Sequence, residues 1–144
     1  MNKDVNILII GRQKDAEGEE SKISTKVRGE YYERNNSIYL LYDEQDPDNG
    51  AVTKNTLKLT GSVIVHTKKG ATESQMTFES DTLSTTRYTT PFGVFLLEIR
   101  TRSVTVLMGE DAGTLIIQYE LYNDGVFLSE NRLTIKIKSI SESS

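Results

Sequence analysis

The sequence predicts an all-β protein, an antiparallel up-and-down β-barrel of roughly 8–11 strands. Three observations carry that prediction. First, 37 of the 144 residues are β-branched (16 Thr, 12 Ile, 9 Val) and only four are Ala. Branched side chains lose rotamer freedom in a helix but pack well on a pleated surface. Second, apolar and polar residues alternate with period two along most of the chain, and helical periodicity is confined to a short turn near Asp15 to Glu20. Third, turn signals recur about every 8–12 residues, the spacing of sandwiches and barrels. Connections this short make sequential strands neighbours. Closure into a barrel is preferred over a sandwich because it removes exposed sheet edges.

Each element follows from local pattern. Val5 to Gly11 is apolar enough for a first strand, and Lys14 to Glu20 reads as a polar connection. From Lys22 to Tyr31, Ile23, Thr25, Val27, Gly29 and Tyr31 share one face, while Lys22, Ser24, Lys26, Arg28 and Glu30 share the other. Asn35-Asn36 turns the chain into a third strand, Ser37 to Asp43, with Ile38, Leu40 and Tyr42 in phase. Glu44 to Gly50, with Pro47 and Asn49-Gly50, is a loop. Val52 to Thr60 sets Asn55, Leu57 and Leu59 against Lys54, Thr56 and Lys58, and Gly61 ends it. Ser62 to Lys68 is an apolar strand closed by a hairpin turn at Lys69-Gly70. Thr72 to Glu79, Leu83 to Thr89, Phe92 to Thr101 and Ser103 to Met108 continue the meander, with turns at Ser80-Asp81 and Gly109 to Gly113. Thr114 to Tyr122 aligns Leu115, Ile117, Tyr119 and Leu121. Asn123-Asp124-Gly125 then gives a strong hairpin signal into a last strand, Val126 to Ser139. The chain reads as one domain over residues 1–144, with a frayed tail over 141–144.

Composition excludes several functions. With no Cys and a single His, disulfides, thiolate chemistry, cysteine-ligated metals and His-rich metal sites are excluded, and no metal or cofactor is expected. The charge of -4 argues against a bulk basic surface for nucleic acid. No apolar run approaches the length of a spanning helix, so neither nucleic acid nor membrane is an expected partner. The apolar stretch Val5 to Ile10 is broken by Asn6 and lacks a cleavage site, so it does not read as a signal peptide. A cytoplasmic location is the expectation; the oligomeric state is left open.

The segment Arg87-Tyr88-Thr89-Thr90-Pro91-Phe92-Gly93, followed by Leu97 and Thr101-Arg102-Ser103-Val104, resembles the YwiB-like family of bacterial proteins. Gly29-Glu30-Tyr31-Tyr32, Ile38-Tyr39-Leu40-Leu41-Tyr42 and Leu115-Ile116-Ile117-Gln118-Tyr119 fit the same family, so the resemblance spans almost the whole chain. It implies a calycin-like, lipocalin-related barrel of unknown function in a bacterial cytosol. It supplies no substrate, cofactor or catalytic residue.

Few residues carry chemistry. His66, the lone imidazole, shares a face with Ile64 and Lys68 and reads as a surface or partly buried strand histidine, since no motif supplies a triad around it. Asp43, Glu44, Asp46 and Asp48 fail the calcium-loop pattern, which needs Gly and Glu where Asp48 and Lys54 stand. Gly109 to Gly113 has no Lys-Ser/Thr and is a turn, not a phosphate loop. Arg100, Arg102, Arg132, Lys136 and Lys138 would form a basic strip if their strands pair. The aromatics of a nucleic-acid platform are missing between them, so they read as solvent-facing charge that guards an edge. Tyr88, Pro91, Phe92 and Gly93 form a corner with a structural role.

The candidate ligand-binding residues are polar side chains in phase with inward apolar ones: Tyr31, Tyr42, Asn55, Tyr119 and Asn131, with Arg87 added because it shares parity with Leu83. A barrel of about eight strands can hold one small ligand in an apolar cavity with a few placed polar groups. The same residues could instead bond one another or water near the barrel ends. The expected function is therefore non-catalytic binding of a small, partly apolar molecule. An enzyme acting on a small hydrophobic acid, and a protein-interaction module using the barrel surface, are the alternatives. No catalytic residue is assigned, because no paired acid and base is visible.

Overall fold

The computed structural model describes residues 2–140. The expected frayed tail, 141–144, lies outside the described residues. Ten antiparallel strands form one sheet: β1 (Asn2–Asp15), β2 (Glu20–Arg34), β3 (Ser37–Gln45), β4 (Val52–Thr60), β5 (Val63–Gly70), β6 (Ser74–Phe78), β7 (Thr82–Thr90), β8 (Gly93–Met108), β9 (Ala112–Asn123) and β10 (Val126–Ser139). No helix among the described residues is long and apolar enough to cross a membrane.

The sheet order is β6-β5-β4-β3-β2-β1-β10-β9-β8-β7, an up-and-down meander whose first and last strands pair in the middle. The ends of the sheet, β6 and β7, meet to give a nearly closed barrel. Glu73 and Thr89 exchange two backbone hydrogen bonds of 2.9 and 2.8 Å there, and Ser84 Oγ donates to the Thr77 carbonyl at 3.1 Å. The predicted barrel is therefore the observed architecture.

Two long strands change partners partway along. β2 pairs with β1 from Glu20 to Tyr32 but with β3 only from Glu30 to Arg34. β8 pairs with β7 up to Thr101 and with β9 from Glu98, with a bulge between Thr101 and Ser103. At the β2 corner stands Gly29, where a Cβ would lie 2.5 Å from the Leu41 carbonyl oxygen and 2.7 Å from Ile7 Cδ1. A residue with any side chain would force β2 and β3 apart at that point.

Inward side chains fill the barrel as alternation predicts: Val5, Ile7, Leu40, Leu57, Ile64, Phe78, Ile99, Leu115, Ile117 and Ile135 are each at most 2 % exposed. Each such side chain contributes roughly 1.5–3 kcal/mol relative to exposure.

Phe92 to Thr101 and Ser103 to Met108, expected as two strands, form the single strand β8, because the break at Arg102 is a bulge and not a turn; two boundaries also move. β1 continues past Gly11 to Asp15, and the chain reverses tightly through Ala16 to Glu19, where Asp15 Oδ1 accepts the Glu17 and Glu19 amides at 2.9 Å. This extension is polar on both faces because it runs beyond the core. The β5–β6 connection lies at Ala71 to Glu73 rather than at Lys69-Gly70, because both of those residues still pair with β4.

Candidate functional site

The inward side chains of β3 to β6 form three rows across the strands. Ile38, Leu59, Ile64 and Phe78 make an apolar row, followed by Leu40, Leu57, His66 and Met76. The third row, nearest the β3–β4 and β5–β6 connections, is Tyr42, Asn55, Lys68 and Ser74. The interior thus grades from apolar to polar toward one rim.

A chain of polar contacts ties this rim together. His66 Nε2 lies 2.8 Å from Asn55 Oδ1, and Asn55 Nδ2 donates to Glu44 Oε1 at 2.9 Å. Lys68 Nζ stands 3.4 Å from the same Glu44 oxygen. With its amide nitrogen committed to Glu44, Asn55 presents its oxygen to His66. The imidazole therefore carries its proton on Nε2 and donates. Burial disfavours the charged imidazole, and Lys68 adds to that effect while Glu44 opposes it, so the His66 pKa falls to about 4. Asn55 is 1 % exposed, and its polar atoms are partnered as burial demands.

The six candidate residues separate into groups. Tyr42 and Asn55 are direct partners on β3 and β4, and Tyr119 and Asn131 are partners on β9 and β10. Tyr119 packs on Phe78 with ring centroids 4.9 Å apart. Its hydroxyl is pushed up to about 12 by burial and by Tyr88. Asn131 Nδ2 donates to Ser129 Oγ at 2.9 Å. Burial, and then Glu44, raise the Tyr42 pKa. Tyr31 stands apart: its hydroxyl donates to Glu33 Oε1 at 2.8 Å, and Lys3 Nζ lies 4.9 Å from its ring centroid. Burial, together with Glu33, raises its pKa to about 12.

Arg87 is corrected. It is exposed and points out of the barrel, because the inward positions of β7 are Thr86 and Tyr88, while Leu83, which set the expected parity, is itself 57 % exposed. His66 is also corrected, from a surface or partly buried residue to a buried one; it sits between Leu57 and Met76 in the second row. Sequence reasoning missed the Glu44 and Lys68 partnership with this histidine. The signal was present in the tight turn after Thr60, which sets Leu57 opposite His66 and Asn55 opposite Lys68.

Where β2 and β3 part, a cleft of about 640 Å³ opens toward the rim. Val27, Tyr42 and Asn55 reach it from the inward faces, and Asp4, Arg28 and Lys54 stand at its mouth. Among the described residues, the Tyr42 hydroxyl has no hydrogen-bond partner, and no group of three or more His, Asp or Glu is placed to hold a metal ion. Chemically, the site offers hydrogen bonds more than proton transfer. A histidine with a pKa near 4, bonded to an amide rather than a carboxylate, is a weak general base at neutral pH.

Comparison with known proteins agrees with this architecture. The "Uncharacterized beta-barrel protein YwiB" of Bacillus subtilis (strain 168) is 26% identical over 106 residues, 74% of this chain and 73% of that protein. The crystal structure of ywiB protein from Bacillus subtilis superposes with a TM-score of 0.86 at 21% identity, covering 97% of this chain and 94% of that one. The family described as Domain of unknown function (DUF1934) matches residues 7–135, and the chain belongs to that family.

Proposed function

We propose that the barrel binds a small, partly apolar molecule in the cleft between β2 and β3. The observation that carries this reading is Tyr42, a residue of the cleft lining directly beside the buried Asn55, whose hydroxyl makes no side-chain hydrogen bond among the described residues. A neutral hydroxyl or carbonyl head would bond Tyr42, while an apolar body would lie against Val27 and the side chains behind the polar row. Small-molecule sites are commonly apolar clefts with a few placed polar groups. The meander resembles that of lipocalin-type barrels, and a chain without cysteine suits the cytoplasm.

The test is native mass spectrometry of protein purified from its own host, followed by a thermal-shift screen of medium-chain alcohols, ketones and acids. A retained molecule, lost in Tyr42→Phe at unchanged Tm, is the expected result. Equal binding by Tyr42→Phe, or no ligand in either experiment, refutes the reading.

A further inference from the structure

The net charge of -4 hides an asymmetry. Outward side chains of β2, β1 and β10, three neighbouring strands, carry nine of the chain's 17 Lys and Arg but only four of its 21 acidic residues. Arg28 is bound to Asp4 at 3.0 Å, and Lys14 stands between Glu20 and Glu130. The remaining seven, of which Arg34 lies apart at the end of β2, are exposed and, among the described residues, have no carboxylate within 4.0 Å. Lys22, Arg12 and Arg132 lie side by side in one row; Lys26 and Lys136 flank Leu8 in another; Lys138 follows on β10.

Like charges directly opposite one another on a sheet are destabilising. Edge protection accounts for the lysines of β2, which has a free edge beyond Gly29. It does not account for the rest, because β1 and β10 are paired along both sides. Two grooves, of about 480 and about 760 Å³, border this face; the first is shared with β8 and β9 and is also lined by Glu20, Glu120 and Glu130.

We infer that this face binds the phosphodiester backbone of duplex nucleic acid without reading its sequence. The two outer lines of cations, on β2 and β10, stand about 10 Å apart, within the span of roughly 6 to 12 Å across a duplex groove. Between them lie Leu8, Ile10, Ser24 and Thr134, which give bases nothing to stack on, so a single strand is disfavoured. Leu8 and Ile10 are half-buried beneath longer Lys and Arg side chains and cannot insert into a lipid surface. An extended acidic peptide could add only along the free edge of β2, where it would leave the cations of β1 and β10 unused.

The test is fluorescence anisotropy with labelled duplex RNA and duplex DNA, titrated with salt. Binding at low salt, with a log–log slope of about -4 to -5, is expected for five or so phosphate contacts. Lys26→Gln/Lys136→Gln/Lys138→Gln is expected to weaken binding more than about tenfold and flatten the slope by about 3. Lys58→Gln/Lys69→Gln/Arg87→Gln removes equal charge elsewhere and is expected to change affinity less than about twofold. Arg12→Gln/Arg132→Gln provides an independent weakening from the other row, and thermal melts confirm that each variant is folded. Absence of binding at low salt, equal weakening by the control variant, or tighter binding to polyglutamate or phosphatidylglycerol vesicles than to either duplex overturns the proposal.

Discussion

Acidification is expected to destabilise the protein through His66, which is buried in its neutral form. Its pKa is about 4 when folded, against 6.5 for an unperturbed imidazole, so the unfolded chain binds more protons between those values. Stability from this group is therefore complete above about pH 6.5, declines as pH falls, and is exhausted near pH 4. The gap corresponds to roughly 3 kcal/mol, of which about 2 kcal/mol is lost between pH 7.5 and pH 5. The assay is urea denaturation at closely spaced pH values for wild type and His66→Gln. Glutamine keeps a donor for Asn55 Oδ1 and does not titrate, so carboxylate titrations cancel in the difference between the two curves. That difference is expected to fall by about 2 kcal/mol between pH 7.5 and pH 5. Parallel curves would refute a buried neutral imidazole.

Further predictions concern the backbone and core. Thr101 is 1 % exposed and its Oγ1 has no partner among the described residues, so Thr101→Val is expected to stabilise by about 1 kcal/mol, read as a higher urea midpoint; an unchanged or lower midpoint would show the hydroxyl is satisfied. Gly29→Ala is expected to cost more than about 2 kcal/mol, because the added Cβ meets backbone at the β2 corner; a loss under half of that in the same assay would place the corner elsewhere. Deleting residues 1–11 removes most of a strand paired on both sides, and a cooperative thermal transition is expected to vanish. A melt within a degree or two of wild type would contradict the topology.

The alternation of side chains made most of the fold legible, because each strand has one face against the core. Reading failed where a strand leaves that arrangement. Leu83 and Arg87 lie on β7, beside the seam, where an apolar residue faces solvent; parity anchored on Leu83 therefore inverted the strand. Tyr42, Asn55, Tyr119 and Asn131 were placed inward correctly, but their pairing depends on register between strands, which periodicity alone leaves unspecified. Glu44 was hidden in a run of acids that otherwise faces water, and only its contacts with Asn55 and Lys68 set it apart. The basic strip was recognised in part. Its β1 and β2 members were missed because distant segments of sequence become neighbours only when β1 pairs with β10.

That central pairing also orders the assembly of the molecule in time. Val5 faces Ser139 and Ile7 faces Ile137, so one flank of β1 finds its partner within a hairpin and the other only across nearly the whole chain. Closing so large a loop is entropically expensive and slows folding. Until β10 arrives, β1 carries Val5, Ile7 and Ile9 along an unpaired edge, the kind of segment that self-associates. Refolding is therefore expected to be concentration-sensitive up to the moment this pair forms. The amides of β1 that bond β10 are expected to gain protection from hydrogen exchange last, after those that bond β2.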